Sequence, residues 1–300
     1  MTGAPRIFDR ALVRARRARA MQLGFANFLL QRVADDLADR LSLVLREFDL
    51  AADIGSPGAA VRDAIAARHL ARRIVTVDPL ANGTGSDDAF AVAADEEELP
   101  FAPASLDLVV SALALQFVND LPGALVQIRT ALKPDRLFLG ALLGGETLTE
   151  LRQAFAEAES EIEGGASPHV APFADLRDLG ALLQRAGFAL PVVDSDRVTV
   201  RYQSVFGLMQ DLRRMGATNA LVERRRTPLR RATLLRMAEI YAERFSDSDG
   251  RVRATFEIVW LSGWAPHESQ QQPLKPGSAK ARLADALKTR EVPAAEKPGG

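Results

Sequence analysis

The chain has 300 residues, 47% of them hydrophobic and 26% charged, and its 38 basic and 39 acidic residues leave a net charge of -1. That is the composition of a globular protein with a sizeable core, and the lack of a basic excess disfavours a protein that wraps nucleic acid. Cysteine is absent, which excludes disulfides and thiolate chemistry, and the three histidines, His69, His169 and His267, lie too far apart for a zinc motif, so no metal site is expected.

The opening segment carries arginines at positions 6, 10, 14, 16, 17 and 19. No long apolar run follows it, which speaks against a secretory leader. Nowhere does the chain reach the about 18 consecutive apolar residues of a bilayer-spanning helix, and a cytoplasmic protein is expected. Arg10, Arg14 and Arg17 share one helical face. Three readings stand side by side: a lid over a ligand, a surface for an acidic partner or an anionic membrane, or a solvated helix paired with Asp35, Asp36 and Asp39.

Phe25, Phe28, Leu29, Val33, Leu37, Leu41, Val44 and Phe48 then recur at three- and four-residue intervals, which predicts one long amphipathic helix. From residue 50 short apolar runs alternate with helical stretches. Strands are predicted at 50–55, 73–78, 90–95, 105–111 and 136–143, with helices after the first and fourth. This is the pattern of βαβ units in a largely parallel, helix-flanked α/β sheet. Further on, helices are predicted at 146–163, 175–187, 204–216 and 229–245, and late strands at 192–202 and 254–264. The expected organisation is a basic arm over 1–24, one domain over 25–265 with a small helical cap at about 204–250, and a flexible tail over 266–300 that is rich in proline.

In such a sheet a ligand sits at the carboxyl ends of the strands. Asp53, Asp78 and Asp95 each close a predicted strand, and Asp53-Ile54-Gly55-Ser56-Pro57-Gly58 forms a glycine-bearing first turn. Asp78 can accept hydrogen bonds from both hydroxyls of a ribose and Asp95 from an adenine amino group. No GxGxxG pyrophosphate cradle is present, so a nucleoside cofactor without phosphates, S-adenosylmethionine, suits the turn better than a dinucleotide. The same acids would serve as helix caps or surface charges in an ordinary α/β protein.

These residues resemble a known family. The order Asp53-x-Gly55, Asp78, Asp95-x-x-x-Leu99-Pro100-Phe101 and Leu106-Asp107-Leu108-Val109-Val110-Ser111 is similar to that of class I S-adenosylmethionine-dependent methyltransferases. Longer strings over residues 8–20, 117–125, 138–152, 164–188, 201–219 and 263–270 resemble the mitochondrial complex I assembly factor 5 group and its bacterial relatives, near the biotin-synthesis malonyl-carrier methyltransferases. The resemblance implies a Rossmann-like methyltransferase fold that binds S-adenosylmethionine and, for the mitochondrial members, hydroxylation of an arginine on a complex I subunit. A complex I-type protein substrate is the partner it implies.

The cofactor-binding candidates are Asp53, Gly55, Ser56, Gly58, Asp78, Asp95, Glu96 and Ser111; the catalytic candidates are Asn119, Asp120 and His169. Pro57 and Ala59 stand where the family pattern has its second and third glycines, and Gln116 stands where it commonly has a histidine. Two alternatives follow: a non-catalytic assembly or chaperone-like factor with a degenerate cofactor loop, and an O-methyltransferase acting on a malonyl carrier or a small molecule.

Overall fold

The computed structural model describes residues 6–81 and 90–271. One compact unit spans Met1–Pro266 and a second His267–Gly300. The first is built on a seven-stranded sheet of order β3-β2-β1-β4-β5-β7-β6, formed by β1 (Leu50–Ile54), β2 (Arg73–Val77), β3 (Ala91–Val92), β4 (Leu106–Ala112), β5 (Leu132–Leu143), β6 (Ala189–Tyr202) and β7 (Val252–Trp264). Strands β1 to β5 pair in parallel, whereas β7 runs antiparallel between β5 and β6. The strand order switches at β1, with β2 and β3 added on one side and β4 and β5 on the other, which opens a crevice at the carboxyl ends of β1 and β4.

Both faces of the sheet are covered, and β4 is buried along its whole length. Its Leu108 and Val110 face one core with α2 (Phe28–Ser42), α3 (Ala60–Ala67), α5 (Thr149–Glu163), α7 (Val205–Arg214) and α8 (Arg231–Phe245). Val109 faces the other, with α4 (Leu121–Ala131) and α6 (Leu176–Arg185). This explains why the strand reads as a continuous apolar run and not as an alternation. On α2, Val33, Leu37 and Leu41 are at most 1% exposed, and burial of each such side chain contributes about 1.5–3 kcal/mol.

The long helix expected through Phe48 ends at Ser42. The carbonyl of Phe48 accepts from Arg72 N–H and that of Asp49 from Arg73 N–H, which ties the extended chain leading into β1 to the chain leading into β2. Phe48 is still buried, but it reaches the core from extended chain. The third strand is shorter than expected, with pairing at Ala91 and Val92 only. Asp95 ends it by accepting from the Glu97 N–H at 3.0 Å, which folds the chain into a turn.

The basic segment is helix α1 (Arg10–Gln22), capped by the Asp9 carboxylate on Leu12 N–H. It packs against α7 within the same compact unit as the sheet. Its arginines do not pair with the aspartates of α2: Asp36 takes Arg32, Asp39 takes Arg68, and Asp35 accepts from Gln31. The intervening helices of the expected cap are α7 and α8. The first adjoins α1, and the second packs on α5. Of the expected tail, residues beyond 271 lie outside the described part of the structure; in the second unit His267 accepts from the Ser269 N–H and meets its hydroxyl.

Candidate active site

The crevice begins at the end of β1. Asp53 is fully buried, and its Oδ1 accepts the Ser56 hydroxyl, which in turn accepts the Ala112 N–H at 2.8 Å. Ser111 donates to the Ile54 carbonyl at 2.7 Å. The side chains of Ser56 and Ser111 are therefore spent on tying β1 to β4. Asp53 Oδ2 remains buried without a hydrogen-bond partner. Burial pushes the Asp53 carboxyl up to about 7; the Ser56 hydroxyl opposes this and the nearby Asp78 charge adds to it.

Gly55 has φ +71, and a Cβ there would stand 2.6 Å from Glu96 Cγ and 3.0 Å from Ala114 Cβ, so only glycine fits. Gly58 also has φ +71, but a Cβ there would meet nothing within 4 Å. Asp78 follows β2; its Oδ1 accepts from Leu80 N–H at 2.9 Å and lies 3.7 Å from Arg17 Nη2.

Helix α1 roofs these acids. Arg10 pairs with Asp95 at 2.6 Å and with Glu96, and Arg14 pairs with Asp95 at 2.8 Å. Arg17 lies 3.1 Å from Glu96 Oε1 and donates to the Gly55 carbonyl at 2.8 Å. Burial by itself would raise the Asp95 carboxyl, but the Glu97 N–H and the Arg10 and Arg14 charges hold it below the usual range. Of the readings open for the basic face, the lid is the one this geometry favours. The sequence marked the shared face of these arginines; it did not reveal that Arg17 would touch the first turn.

The three catalytic candidates do not converge. Asn119 Oδ1 accepts from the N–H groups of Ile7 at 2.8 Å and Phe8 at 2.7 Å, so it fastens the segment leading into α1. Asp120 caps α4 through Gly123 N–H. His169 stacks on Phe155 with ring centroids 3.9 Å apart, and its Nε2 lies 2.8 Å from Glu159 Oε1.

Beside the crevice lies a cavity of about 220 Å³ that periodicity did not announce. Pro57 of the first turn, Leu113 and Gln116 after β4, Phe8, Phe25 and His169 are among the residues lining it. Its wall is assembled from segments more than two hundred residues apart, which is why no local motif marks it. Among the described residues no group of three or more His, Asp or Glu side chains could hold a metal ion.

S-adenosylmethionine is the cofactor a class I methyltransferase fold takes, and the residues present fit it. Asp78 presents a partly exposed carboxylate just after β2, and Gly55 takes a positive φ in the turn after β1. Asp53 Oδ2, buried and without a hydrogen-bond partner, lies at the base of the same turn.

Comparison with known proteins agrees. Residues 52–139 match the family described as methyltransferase domain. The chain is 42% identical to the arginine-hydroxylase NDUFAF5, mitochondrial, of Danio rerio, over 94% of this chain and 90% of that protein. It is 34% identical to a malonyl-[acyl-carrier protein] O-methyltransferase of Methylovorus sp. (strain MP688), over 89% of this chain and 92% of that one. The YcgJ protein of Bacillus subtilis shares the fold, with a TM-score of 0.51 at 14% identity, covering 77% of this chain and 98% of that one. The chain belongs to the family of methyltransferase-fold proteins that holds the NDUFAF5 arginine hydroxylases, with the malonyl-carrier O-methyltransferases as neighbours.

Proposed function

We propose that this protein is an S-adenosylmethionine-binding enzyme that modifies an arginine of a protein substrate of the respiratory complex I type. The observation that carries the reading is the partly exposed Asp78 carboxylate after β2, beside the positive-φ Gly55 turn that follows β1 and under Arg17 of α1. The kinship with proteins named arginine hydroxylases supplies the substrate class.

In this reading Asp78 orients the ribose, and Gly55, with its positive φ and its packing against Glu96 and Ala114, sets the course of the first turn. Asp95 and Glu96 line the adenine side, and the α1 arginines shield the crevice from water. Bound there, S-adenosylmethionine supplies an electrophilic methyl group. Asn119 and Asp120 hold the loop after β4 in place and touch no reacting atom, and His169 shapes the wall of the neighbouring cavity. A cytoplasmic location belongs to the same reading, and fractionation of tagged protein checks it.

Calorimetric titration of the full chain with S-adenosylmethionine and S-adenosylhomocysteine tests the site. Micromolar, near-stoichiometric binding is expected, and Asp78→Ala should weaken it at least tenfold. No binding up to millimolar ligand would leave the non-catalytic assembly factor as the better reading. Mass analysis of an arginine peptide after incubation then distinguishes an added methyl group from an added oxygen.

The O-methyltransferase reading has one observation in its favour. A second cleft shares His169 and Asn219 with the cavity and is lined by Arg16, Arg224, Arg225 and Arg226. A phosphate-bearing carrier arm would find cations there.

A further inference from the structure

The chain carries a net charge of -1, yet residues 224–231 hold five arginines and no acid. Arg224, Arg225 and Arg226 line the second cleft, of about 500 Å³, together with Arg16 of α1, and none of its lining residues is an aspartate or glutamate. Like charges gathered in one concavity repel one another and draw in an anion. Arg16 registers that repulsion: burial and the Arg224 charge hold its guanidinium below the usual value, although Asp9 opposes this.

The acids within reach do not line the cleft, and they leave donors unused. Arg224 lies 3.4 Å from Asp9 and donates to the Leu221 carbonyl at 2.7 Å. Arg225 pairs with Glu163 and donates to the Thr227 hydroxyl at 2.8 Å. Arg16 donates to the Asn219 carbonyl, and the exposed Arg226 makes no ion pair among the described residues. A guanidinium has donors on more than one edge, so each keeps N–H groups for a further carboxylate. Asp9 caps α1 and Glu163 ends α5, so these tethers draw Arg224 and Arg225 toward different walls. That arrangement suits carboxylates on separate residues of a chain better than one phosphate group. A nucleic acid would want aromatic faces to stack on, and the one ring in the lining, His169, is already stacked on Phe155.

We propose that the cleft lined by Arg16, Arg224, Arg225 and Arg226 docks acidic residues of the protein substrate, so that the chain modified is one with aspartates or glutamates near its target residue. His169 and Asn219 line both this cleft and the cavity that Pro57 of the first turn reaches. A polypeptide anchored at the arginines is thus placed to run along the cavity toward the cofactor turn. Charge capture of this kind governs partner choice and association rate more than total affinity. The proposal rests on the protein-substrate reading above and adds the feature by which such a substrate is chosen.

Fluorescence anisotropy with the full chain tests the cleft. The probes are a rhodamine-labelled peptide with one arginine followed by aspartates, the same peptide with asparagines in their place, and inorganic phosphate as a competitor. The aspartate peptide should bind roughly tenfold more tightly than the asparagine peptide at low salt, and the difference should shrink at high salt. Arg226→Glu reverses a charge that has no ion pair to lose, and it should weaken the aspartate peptide about tenfold. Arg177→Glu makes the same change in net charge on the exposed side of α6, whose core residues pack on the other face of the sheet. It should leave binding within about twofold of native. Unchanged thermal unfolding reports that both variants are folded. Equal binding of the two peptides overturns the proposal, and so does an equal loss in the two variants, which would reduce the effect to net charge. Phosphate displacing the peptide at micromolar concentration also overturns it and returns the cleft to a phosphate-bearing ligand. Peptide binding needs no cofactor, so it fails or succeeds independently of the calorimetric result with S-adenosylmethionine.

Discussion

Arg17 and Glu96 form a buried ion pair under the basic helix, with Nη1 3.1 Å from Oε1 and side-chain exposures of 8% and 2%. The second nitrogen of the same guanidinium donates to the Gly55 carbonyl, so one side chain joins α1 to the acidic turn and to the first loop at once. Removing one member of such a pair strands the other in low dielectric. Arg17→Met should therefore cost about 3 kcal/mol of unfolding free energy. The double change with Glu96→Gln should cost less than the sum of the two single changes. Urea denaturation of the four proteins gives the coupling directly.

Asp53 gives the stability curve a definite pH slope. Its folded-state value of about 7 lies above the ordinary 3.8, so the folded chain holds this proton more tightly than the unfolded chain. The contribution is fully present below about pH 4, declines as pH rises toward 7, and is gone above that. Asp53→Asn removes this part of the slope, and it should raise stability above pH 7 by a few kcal/mol relative to native. Thermal unfolding of both proteins across pH 4 to 8 checks the sign; parallel curves would refute it.

The two glycines of the first turn should respond differently to alanine. Both have φ +71, which costs an L-residue roughly 1–2 kcal/mol, but only at Gly55 does the new methyl group strike Glu96 and Ala114. Glu96 cannot swing aside without giving up Arg10 and Arg17. Gly58→Ala should therefore cost about 1 kcal/mol, and Gly55→Ala at least 1 kcal/mol more. Gly55→Ala should also weaken S-adenosylmethionine binding; the comparison needs one denaturation series and one titration each.

Asn119 is predicted to matter through the amino-terminal segment. Asn119→Ala leaves the Ile7 and Phe8 N–H groups without their acceptor, at a cost of about 1–2 kcal/mol. Limited proteolysis ahead of α1 should become faster. Asn119→Asp, which keeps the accepting oxygen, should restore much of the resistance. Equal cleavage rates in all three proteins would show that Asn119 does not hold this segment.

Some of this was written locally. The run Leu106 to Ala112 could only be a strand buried on both faces. Acids directly after short apolar runs had to lie at strand ends, and the alternation of strand and helix dictated a crevice there. The resemblance over most of the chain supplied the family. Local pattern misled where a tertiary partner outbid it. The stripe through Val44 and Phe48 has helical spacing, but the helix ends at Ser42 and the Phe48 and Asp49 carbonyls accept from Arg72 and Arg73 N–H in extended chain. The apolar run after Phe90 stops early because Asp95 captures the Glu97 N–H.

The sequence by itself determined the sheet, its crevice and the residues that border it, because period, run length and turn chemistry are properties of neighbours along the chain. Only the tertiary structure decided what the charges and amides do. It turned three arginines inward onto Asp95, Glu96 and Asp78, and it spent Asn119 and Asp120 on backbone donors. It also left Asp53 and Gln116 each with one buried oxygen unmet. A hydrogen-bonding group's partner is set by distance and direction in space, and the residues that supply those partners here lie tens to hundreds of positions away along the chain.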